Sequence, residues 1–219
     1  RLISQKGTYL SCHSNWGSIM TQETTWEDRY KTNTGTLPWD IGTPAPELTS
    51  VMPELKLPNN RVLEVGCGTG TNAVWLAQKG YEVTATEVAP TALDSAKEKA
   101  SAAQVKINFK LSDICEEPPI EKQSVGFVFD RGVFHTMPAD KRAVFVERVA
   151  DSLVSGGYWL CLAGSADETQ ATEGPPKLTA ATIVNAVEPR FEIHKLERIT
   201  FTIPGIGLHL AWLGLFAVR

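Results

Sequence analysis

The sequence predicts a single α/β domain built on a mainly parallel sheet, and three stretches carry this prediction. Residues 61–80 read RVLEVGCGTGTNAVWLAQKG, where an apolar β-branched run passes through alternating glycines into a helical pattern that stops at Gly80. Residues 81–87 form a second strand pattern. Residues 124–130 are almost continuously apolar, as the central strand of a parallel sheet is when helices cover both of its faces.

The other elements follow from periodicity and from turn residues. A short helix over 47–57 should end at Pro58, and Pro90 occupies the first position of a helix whose buried face includes Leu93 and Ala96. A further helix should begin at Pro138 and close at Gly156-Gly157. The remaining predictions are strands over 105–111, 158–163, 191–203 and 208–218, a polar loop over 164–177, a helix over 179–187 and a turn at 204–207.

Composition excludes several classes of partner and binding site. The chain has 219 residues, 42% hydrophobic and 21% charged, and a net charge of −4, so it presents no basic field for nucleic acid or an anionic membrane. Its longest apolar stretch, 208–218, is too short to cross a bilayer. The four cysteines form no C-x-x-C pair, which indicates neither a zinc site nor a disulfide framework. We therefore expect a cytoplasmic protein with small-molecule partners and no metal.

The glycine loop is the first candidate site. Glycines at 66, 68 and 70 allow a ligand to lie against the backbone. Thr71 stands where the dinucleotide fingerprint has its third glycine, and Glu64 would repel a phosphate and attract an ammonium group. A cationic nucleoside without phosphate fits this loop, although a glycine-rich turn of another α/β protein is the alternative. Cys67 is interpreted as a small loop residue rather than as a nucleophile.

Residues 64–70 (EVGCGTG) resemble the first motif of class I S-adenosylmethionine-dependent methyltransferases. The resemblance implies that Gly66, Gly68 and Gly70 surround the methionine end of the cofactor. Glu87, which ends the second strand and precedes Val88, would bind both ribose hydroxyls. The resemblance also implies a doubly wound, Rossmann-like fold with a seven-stranded mixed sheet and an antiparallel last strand.

Residues 25–47 resemble the N-terminal region of a smaller group within this class, the thiopurine and plant thiol/halide methyltransferases. That resemblance places Trp26 and Tyr30 close to the cofactor and Trp39 near its methionine end. The aromatic residues could cover the cofactor as a lid, or could anchor an N-terminal arm to the sheet. Residues 1–24 are interpreted as an extension in front of one methyltransferase domain over 25–219, with Met20 as a candidate native start.

Two further acids follow strands. The family resemblance implies that Asp113 binds the adenine amino group while Ile114 lines the ring, although an Asp at this place is also a common turn cap. The triplet Asp130-Arg131-Gly132 again resembles the thiopurine and thiol group. Asp130 is therefore a candidate for the cofactor site.

Candidate catalytic residues lie in the same region. Asp130 and Arg131 could orient each other, Arg131 could attract an anionic acceptor, and a structural salt bridge is the alternative. His135 could accept a proton from the acceptor, or could simply bind the loop backbone.

The sequence therefore predicts a methyltransferase that acts on a small molecule, with a thiol or another soft nucleophile as acceptor. Phe134-His135 and the short region between Ala163 and Thr179 depart from the closest relatives, so thiopurine or halide specificity is not implied. Two alternatives remain, a cofactor-binding module without catalysis and a nicotinamide-dependent oxidoreductase. The oligomeric state is not predicted.

Overall fold

The structure is a computed structural model that describes residues 25–32, 37–168, 176–203 and 207–219. The strands are β1 (Arg61–Val65), β2 (Glu82–Glu87), β3 (Asn108–Leu111), β4 (Val125–Arg131), β5 (Leu153–Gly164), β6 (Phe191–Ile203) and β7 (Gly207–Val218). The helices are α1 (Trp26–Thr32), α2 (Pro46–Val51), α3 (Thr71–Gln78), α4 (Pro90–Ala102), α5 (Arg142–Ser152) and α6 (Ala180–Val187). Residues 1–24, with Met20, and most of the predicted turn at 204–207 lie outside the described residues.

The strands form one seven-stranded sheet in the order β3-β2-β1-β4-β5-β7-β6. Strand β1 is parallel to β2 and β4, whereas β7 is antiparallel to β5 and β6. The predicted mixed sheet with an antiparallel last strand is therefore confirmed. The order reverses between β1 and β4, and ligands of open α/β sheets bind at the carboxyl ends of strands at such a switch point.

Helices cover both faces of the sheet, as the predicted doubly wound fold requires. Leu76 of α3 and Leu93 of α4 pack on one face. Phe145 of α5 and Ile183 of α6 pack on the other, around the fully buried Trp159. Among the described residues, no helix is long and apolar enough to span a membrane.

Several element boundaries differ from the prediction, and strand β5 begins at Leu153 rather than at residue 158. Helix α2 ends at Val51 and passes into a 3₁₀ helix, Met52–Glu54, because Pro53 has no N–H to continue the α-helical pattern. Strand β3 begins at Asn108 rather than at residue 105, where the N–H of Val105 still bonds the carbonyl of Ala100 at the end of α4. The predicted helix that follows Pro90 is confirmed.

The helix predicted to run from Pro138 to Gly156-Gly157 is instead α5, Arg142–Ser152. The two glycines lie inside β5, where Gly156 has φ +77° and the β4–β5 register shifts between Val125 and Phe127. The glycine pair therefore makes an irregularity in a strand, and it does not end the helix.

Candidate active site

One cavity opens at the carboxyl ends of β1, β2, β3 and β4, and residues from 26–30 and 38–45 contribute to its wall. All the predicted site residues line this cavity except Asp130 and Gly70. Those that do are Trp26, Tyr30, Trp39, Glu64, Gly66, Gly68, Glu87, Val88, Asp113, Ile114, Arg131 and His135. Residues that lie far apart in the sequence are thus brought to one place.

The glycine loop between β1 and α3 forms the floor of the cavity. A Cβ atom on Gly68 would lie 2.8 Å from the hydroxyl oxygen of Tyr30, so a larger residue would fill the space against which a ligand can lie. Gly70 has φ +80°, and its Cβ atom would lie 2.7 Å from the Cβ atom of Ala96. Gly70 therefore permits close packing of the loop on α4 and does not line the cavity, and its place beside the cofactor stays a prediction.

Glu87 is held in place by three backbone N–H groups at the end of β2. Its Oε1 accepts hydrogen bonds from the N–H groups of Val88 (2.8 Å) and Ala89 (3.0 Å), and its Oε2 accepts one from Gly68 (2.9 Å). Burial raises the pKa of Glu87, and the three donors oppose that shift. The carboxylate is thus held in one orientation beside the glycine loop, with lone pairs left for further donors.

Glu64 lies deeper in the cavity wall, at 2% exposure. Its Oε1 accepts a hydrogen bond from Asn72 Nδ2 at 3.2 Å. Its Oε2 is buried without a hydrogen-bond partner among the described residues. Burial, the largest cause, raises the pKa of Glu64 to about 8. A ligand that carries a positive charge would stabilise the ionised form of a buried carboxyl group of this kind.

Four buried side-chain atoms in the described part of the chain lack a hydrogen-bond partner, and all four belong to residues that line this cavity. They are Glu64 Oε2, Ser112 Oγ, Arg29 Nε and Arg131 Nε. Buried polar groups in folded proteins are nearly always paired, so groups that lack a partner in one cavity indicate that a polar ligand pairs with them.

Asp113 and Ile114 follow β3 at the rim of the cavity. The carboxylate of Asp113 is exposed, and its Oδ1 accepts a hydrogen bond from the N–H of Cys115 at 2.8 Å. This is the turn-capping role that the sequence left open. The other carboxylate oxygen has no hydrogen bond within the described residues, so capping is compatible with ligand binding. Ile114 is buried and offers an apolar surface.

Three aromatic residues cover the loop. Trp39 makes edge-to-face contacts with Trp26 and Tyr30, with ring centroids 5.7 and 6.0 Å apart. Trp39 Nε1 donates a hydrogen bond to the hydroxyl of Tyr30 at 3.0 Å, and burial raises the pKa of that hydroxyl. These rings line the cavity and also pack α1 against the turn that contains Trp39, so both predicted interpretations of this region fit the geometry.

Asp130 is not a cavity residue, and this corrects its predicted position. It is fully buried, and its Oδ1 accepts hydrogen bonds from the N–H groups of Val133 (3.2 Å) and Phe134 (3.0 Å). Its Oδ2 accepts one from Trp159 Nε1 at 2.9 Å. Burial raises its pKa, against these donors. Asp130 therefore shapes the turn after β4 from within the core.

Arg131 faces the opposite side of β4 from Asp130, because successive strand residues alternate between faces. The two form no ion pair in the described structure, so the predicted mutual orientation is wrong. Arg131 Nη1 donates a hydrogen bond to the carbonyl of Trp39 at 2.7 Å, and its guanidinium lies 5.0 Å from the ring centre of Phe201. Neither Arg131 nor Arg29 has a carboxylate partner among the described residues, so both leave positive charge at the cavity wall.

His135 lies in a 3₁₀ helix, Phe134–Thr136, that follows the β4 turn. Its Nδ1 accepts a hydrogen bond from the N–H of Gly164 at 2.6 Å. Burial first, and the charge of Arg131 second, lower the pKa of His135 to about 4. The imidazole is therefore neutral at pH 7. Because Nδ1 is an acceptor, Nε2 carries the hydrogen and can donate it.

Four of the polar cavity residues that sequence reasoning missed are Ser112, Arg29, Asp40 and Asn72. Ser112 precedes Asp113, and Arg29 lies three positions after Trp26, on the same side of α1, with its guanidinium 4.7 Å from the centre of that ring. Helical spacing from Trp26 could have identified Arg29. Asp40 lies in the segment 25–47, and Asn72 follows the glycine loop. Neither residue has any other sequence signal.

Three comparisons with known proteins bear on this site. The family described as Thiopurine S-methyltransferase (TPMT) matches residues 21–204. The chain belongs to this family. Its membership confirms the predicted resemblance to the thiopurine methyltransferases and supports S-adenosylmethionine as the predicted cofactor. The aromatic segment, the glycine loop and the Asp-Arg-Gly triplet all lie inside the matched range.

Two curated relatives are similar to this chain over part of its length. The chain is 29% identical over 126 residues to a 2-heptyl-1-hydroxyquinolin-4(1H)-one methyltransferase of Mycobacteroides abscessus, covering 57% of this chain and 55% of that protein. It is 30% identical over 153 residues to a probable thiol methyltransferase 2 of Arabidopsis thaliana, covering 69% of this chain and 65% of that one. The chain thus spans less than two thirds of either curated relative.

A solved structure shows the same fold. It comes from work on the conversion of a disulfide bond into a thioacetal group during echinomycin biosynthesis. The TM-score is 0.76 at 24% identity, covering 88% of this chain and 90% of that one. The likeness confirms the predicted fold class.

Proposed function

We propose that this protein transfers a methyl group from S-adenosylmethionine to a small-molecule acceptor whose nucleophile is already ionised, with thiols as the leading class. The observation that carries the proposal is the set of four unpartnered buried polar atoms in one cavity. Their chemistry is mixed, with one carboxyl group, one hydroxyl and two guanidinium groups. A ligand with an ammonium group, hydroxyls and a carboxylate complements such a set.

The cofactor end of the cavity has a donor or acceptor for each part of S-adenosylmethionine. Glu64 Oε2 would receive the ammonium group, and Glu87 would accept hydrogen bonds from the ribose hydroxyls. Asp113 and Ile114 would bind the adenine, with Val88 at the rim. Gly66 and Gly68 leave room for the methionine end, which Trp26, Tyr30 and Trp39 would cover. When bound, the sulfonium group supplies the methyl for an in-line displacement.

The acceptor end has donors and positive charge, and none of its described residues is placed to act as a base. Arg131 carries positive charge there, and the neutral His135 presents a hydrogen on Nε2, which lies near Gly132 of the cavity wall. Asp130 lies outside the cavity. Arg131 and His135 would therefore hold an anionic nucleophile in line, and positioning of this kind can lower a barrier by several kcal/mol. They would not remove its proton.

The relatives support a small-molecule acceptor. One is named for a 1-hydroxyquinolin-4-one and another for thiols. Thiols ionise far more readily than alcohols, which suits a site without a base. The alternatives of a non-catalytic module and a nicotinamide enzyme receive no support from these relatives.

We also propose a cytoplasmic location. Cys67, Cys115 and Cys161 are free thiols, as in proteins of reducing compartments.

Calorimetric titration tests the proposal. S-adenosylmethionine and S-adenosylhomocysteine are titrated into the wild type and into Glu87→Ala, with NADH as the control ligand. We expect binding of both, weakened at least about tenfold by the substitution, which is about 1.4 kcal/mol. An acceptor screen led by small thiols would then follow. Binding of NADH alone, or of none of the three, would refute the assignment.

A further inference from the structure

Asp40, to which the sequence analysis assigned no role, fastens the cap segment to the glycine loop. We define the cap segment as residues 37–45. Asp40 Oδ2 accepts a hydrogen bond from Thr69 Oγ1 at 2.5 Å, and its Oδ1 lies 3.5 Å from Thr71 Oγ1. Both threonines belong to the turn from the loop into α3. One carboxylate of the cap segment thus faces two hydroxyls of the cofactor loop.

Lys99 of α4 approaches the same hydroxyls from the other side. Its Nζ donates hydrogen bonds to Thr69 Oγ1 at 2.8 Å and to Thr71 Oγ1 at 2.6 Å. An ammonium group has no lone pair, so each hydroxyl must accept from Lys99 and direct its own hydrogen to Asp40. The result is a bridge from cation to anion through two hydroxyls, with a charged group at each end to strengthen it.

The bridge holds other cavity residues in place. The N–H of Asp40 bonds the carbonyl of Leu37 at 3.0 Å, which closes the turn that contains Trp39. Trp39 in turn donates to the hydroxyl of Tyr30 and accepts from Arg131. The orientations of Tyr30 and Arg131 therefore depend on the turn that Asp40 fixes.

A second connection ties the end of the cap segment to the carboxyl group expected to bind the ammonium. The N–H of Ala45 donates a hydrogen bond to Asn72 Oδ1 at 2.8 Å. The same amide donates through Nδ2 to Glu64 Oε1. A ligand at Glu64 and closure of the cap segment are thus linked through one side chain, and each would favour the other.

We propose that Asp40 is a positioning residue whose bridge to Lys99 holds the cap segment over the bound cofactor and limits the rate at which the cofactor leaves. The inference rests on the proposed function, since it takes S-adenosylmethionine and its product as occupants of the cavity. It assigns to Thr69 and Thr71 a role in fastening rather than in contact with the methyl group.

The test measures the dissociation rate of S-adenosylhomocysteine by stopped-flow fluorescence, with calorimetry for affinity. The variants are Asp40→Asn, Thr69→Val and Thr69→Ser. The control is Asp94→Asn, whose exposed carboxylate pairs with Lys97 on the same helix as Lys99. Loss of a charge-assisted hydrogen bond should accelerate dissociation at least about tenfold in Asp40→Asn and Thr69→Val. Thr69→Ser, which keeps the hydroxyl, and Asp94→Asn should release the ligand at the wild-type rate.

Two outcomes separate the claims. Wild-type rates in Asp40→Asn and Thr69→Val would overturn this inference and leave the proposed function intact. Failure of the wild type to bind S-adenosylhomocysteine would instead overturn the proposed function. If either variant does not fold, Lys99→Gln breaks the same bridge and should show the same faster dissociation. The effects of Asp40→Asn and Lys99→Gln should not add in the double variant, and additive effects would also contradict the bridge.

Discussion

We predict that His135 makes the stability of this protein fall as the pH falls below neutral, and that His135→Gln removes this dependence. The unfolded chain binds a proton at His135 near pH 6.5, whereas the folded protein binds it only near pH 4. Between these values the unfolded state holds more protons, so acid favours unfolding. The shift of about 2.5 pKa units corresponds to about 3 kcal/mol in full, of which about 2 kcal/mol is lost between pH 7 and pH 5.

Urea unfolding at a series of pH values measures this effect. Other groups titrate in the same range, Glu64 among them with the opposite sign, so the informative quantity is the difference between wild type and His135→Gln at each pH. An equal pH dependence in the two proteins would refute the assignment of a buried neutral imidazole.

Turnover provides a second measurement at the same residue. His135→Ala should lower turnover and spare cofactor affinity, because it removes the Nε2 donor from the acceptor end. Unchanged turnover would remove His135 from the mechanism. Because the pKa of the folded imidazole is about 4, an acidic limb in kcat/KM near that pH that vanishes in His135→Gln would show that His135 acts as a base after all.

Two further predictions follow from burial and backbone geometry. Since the pKa of Glu64 is about 8, its carboxyl is mostly protonated at pH 7, and an ammonium ligand should displace about 0.9 proton. Calorimetry in phosphate and Tris buffers measures that release, which Glu64→Gln should abolish; an enthalpy independent of buffer in the wild type would contradict it. Gly70→Ala should lower the free energy of unfolding by about 2–4 kcal/mol, because its Cβ atom strikes Ala96 at positive φ. Gly42→Ala, at φ +69° in open space, should cost about 1 kcal/mol in the same urea titration, and equal losses would show that contact with Ala96 is unimportant.

The sequence could predict the order of elements and the residues at strand ends, because both depend on local patterns. The run from Arg61 to Gly80 identifies strand, loop and helix, and Glu87 ends the next strand at the same edge of the sheet. The resemblance to class I methyltransferases assigned Glu87 and Asp113 to the same site as Glu64, and parallel strands do bring their carboxyl ends together at one edge of the sheet.

The sequence could not predict the direction of side chains at a strand end. Asp130 and Arg131 are neighbours in an Asp-Arg-Gly motif, yet they lie on opposite faces of β4. The buried indole of Trp159 and the backbone of Phe134 hold Asp130 in the core, and both contacts depend on how β5 and the following turn pack.

The sequence by itself determined the fold class, which follows from periodicity, and its short motifs indicated the family and the residues of the candidate site. Only the tertiary structure decided which groups lack partners and which hydrogens they carry. The proton on His135 is placed by Gly164, 29 positions away, and Asp40 meets Thr69, which also binds Lys99, only after the cap segment packs on the glycine loop. Because such contacts join elements that are distant in the chain, local sequence patterns cannot predict them.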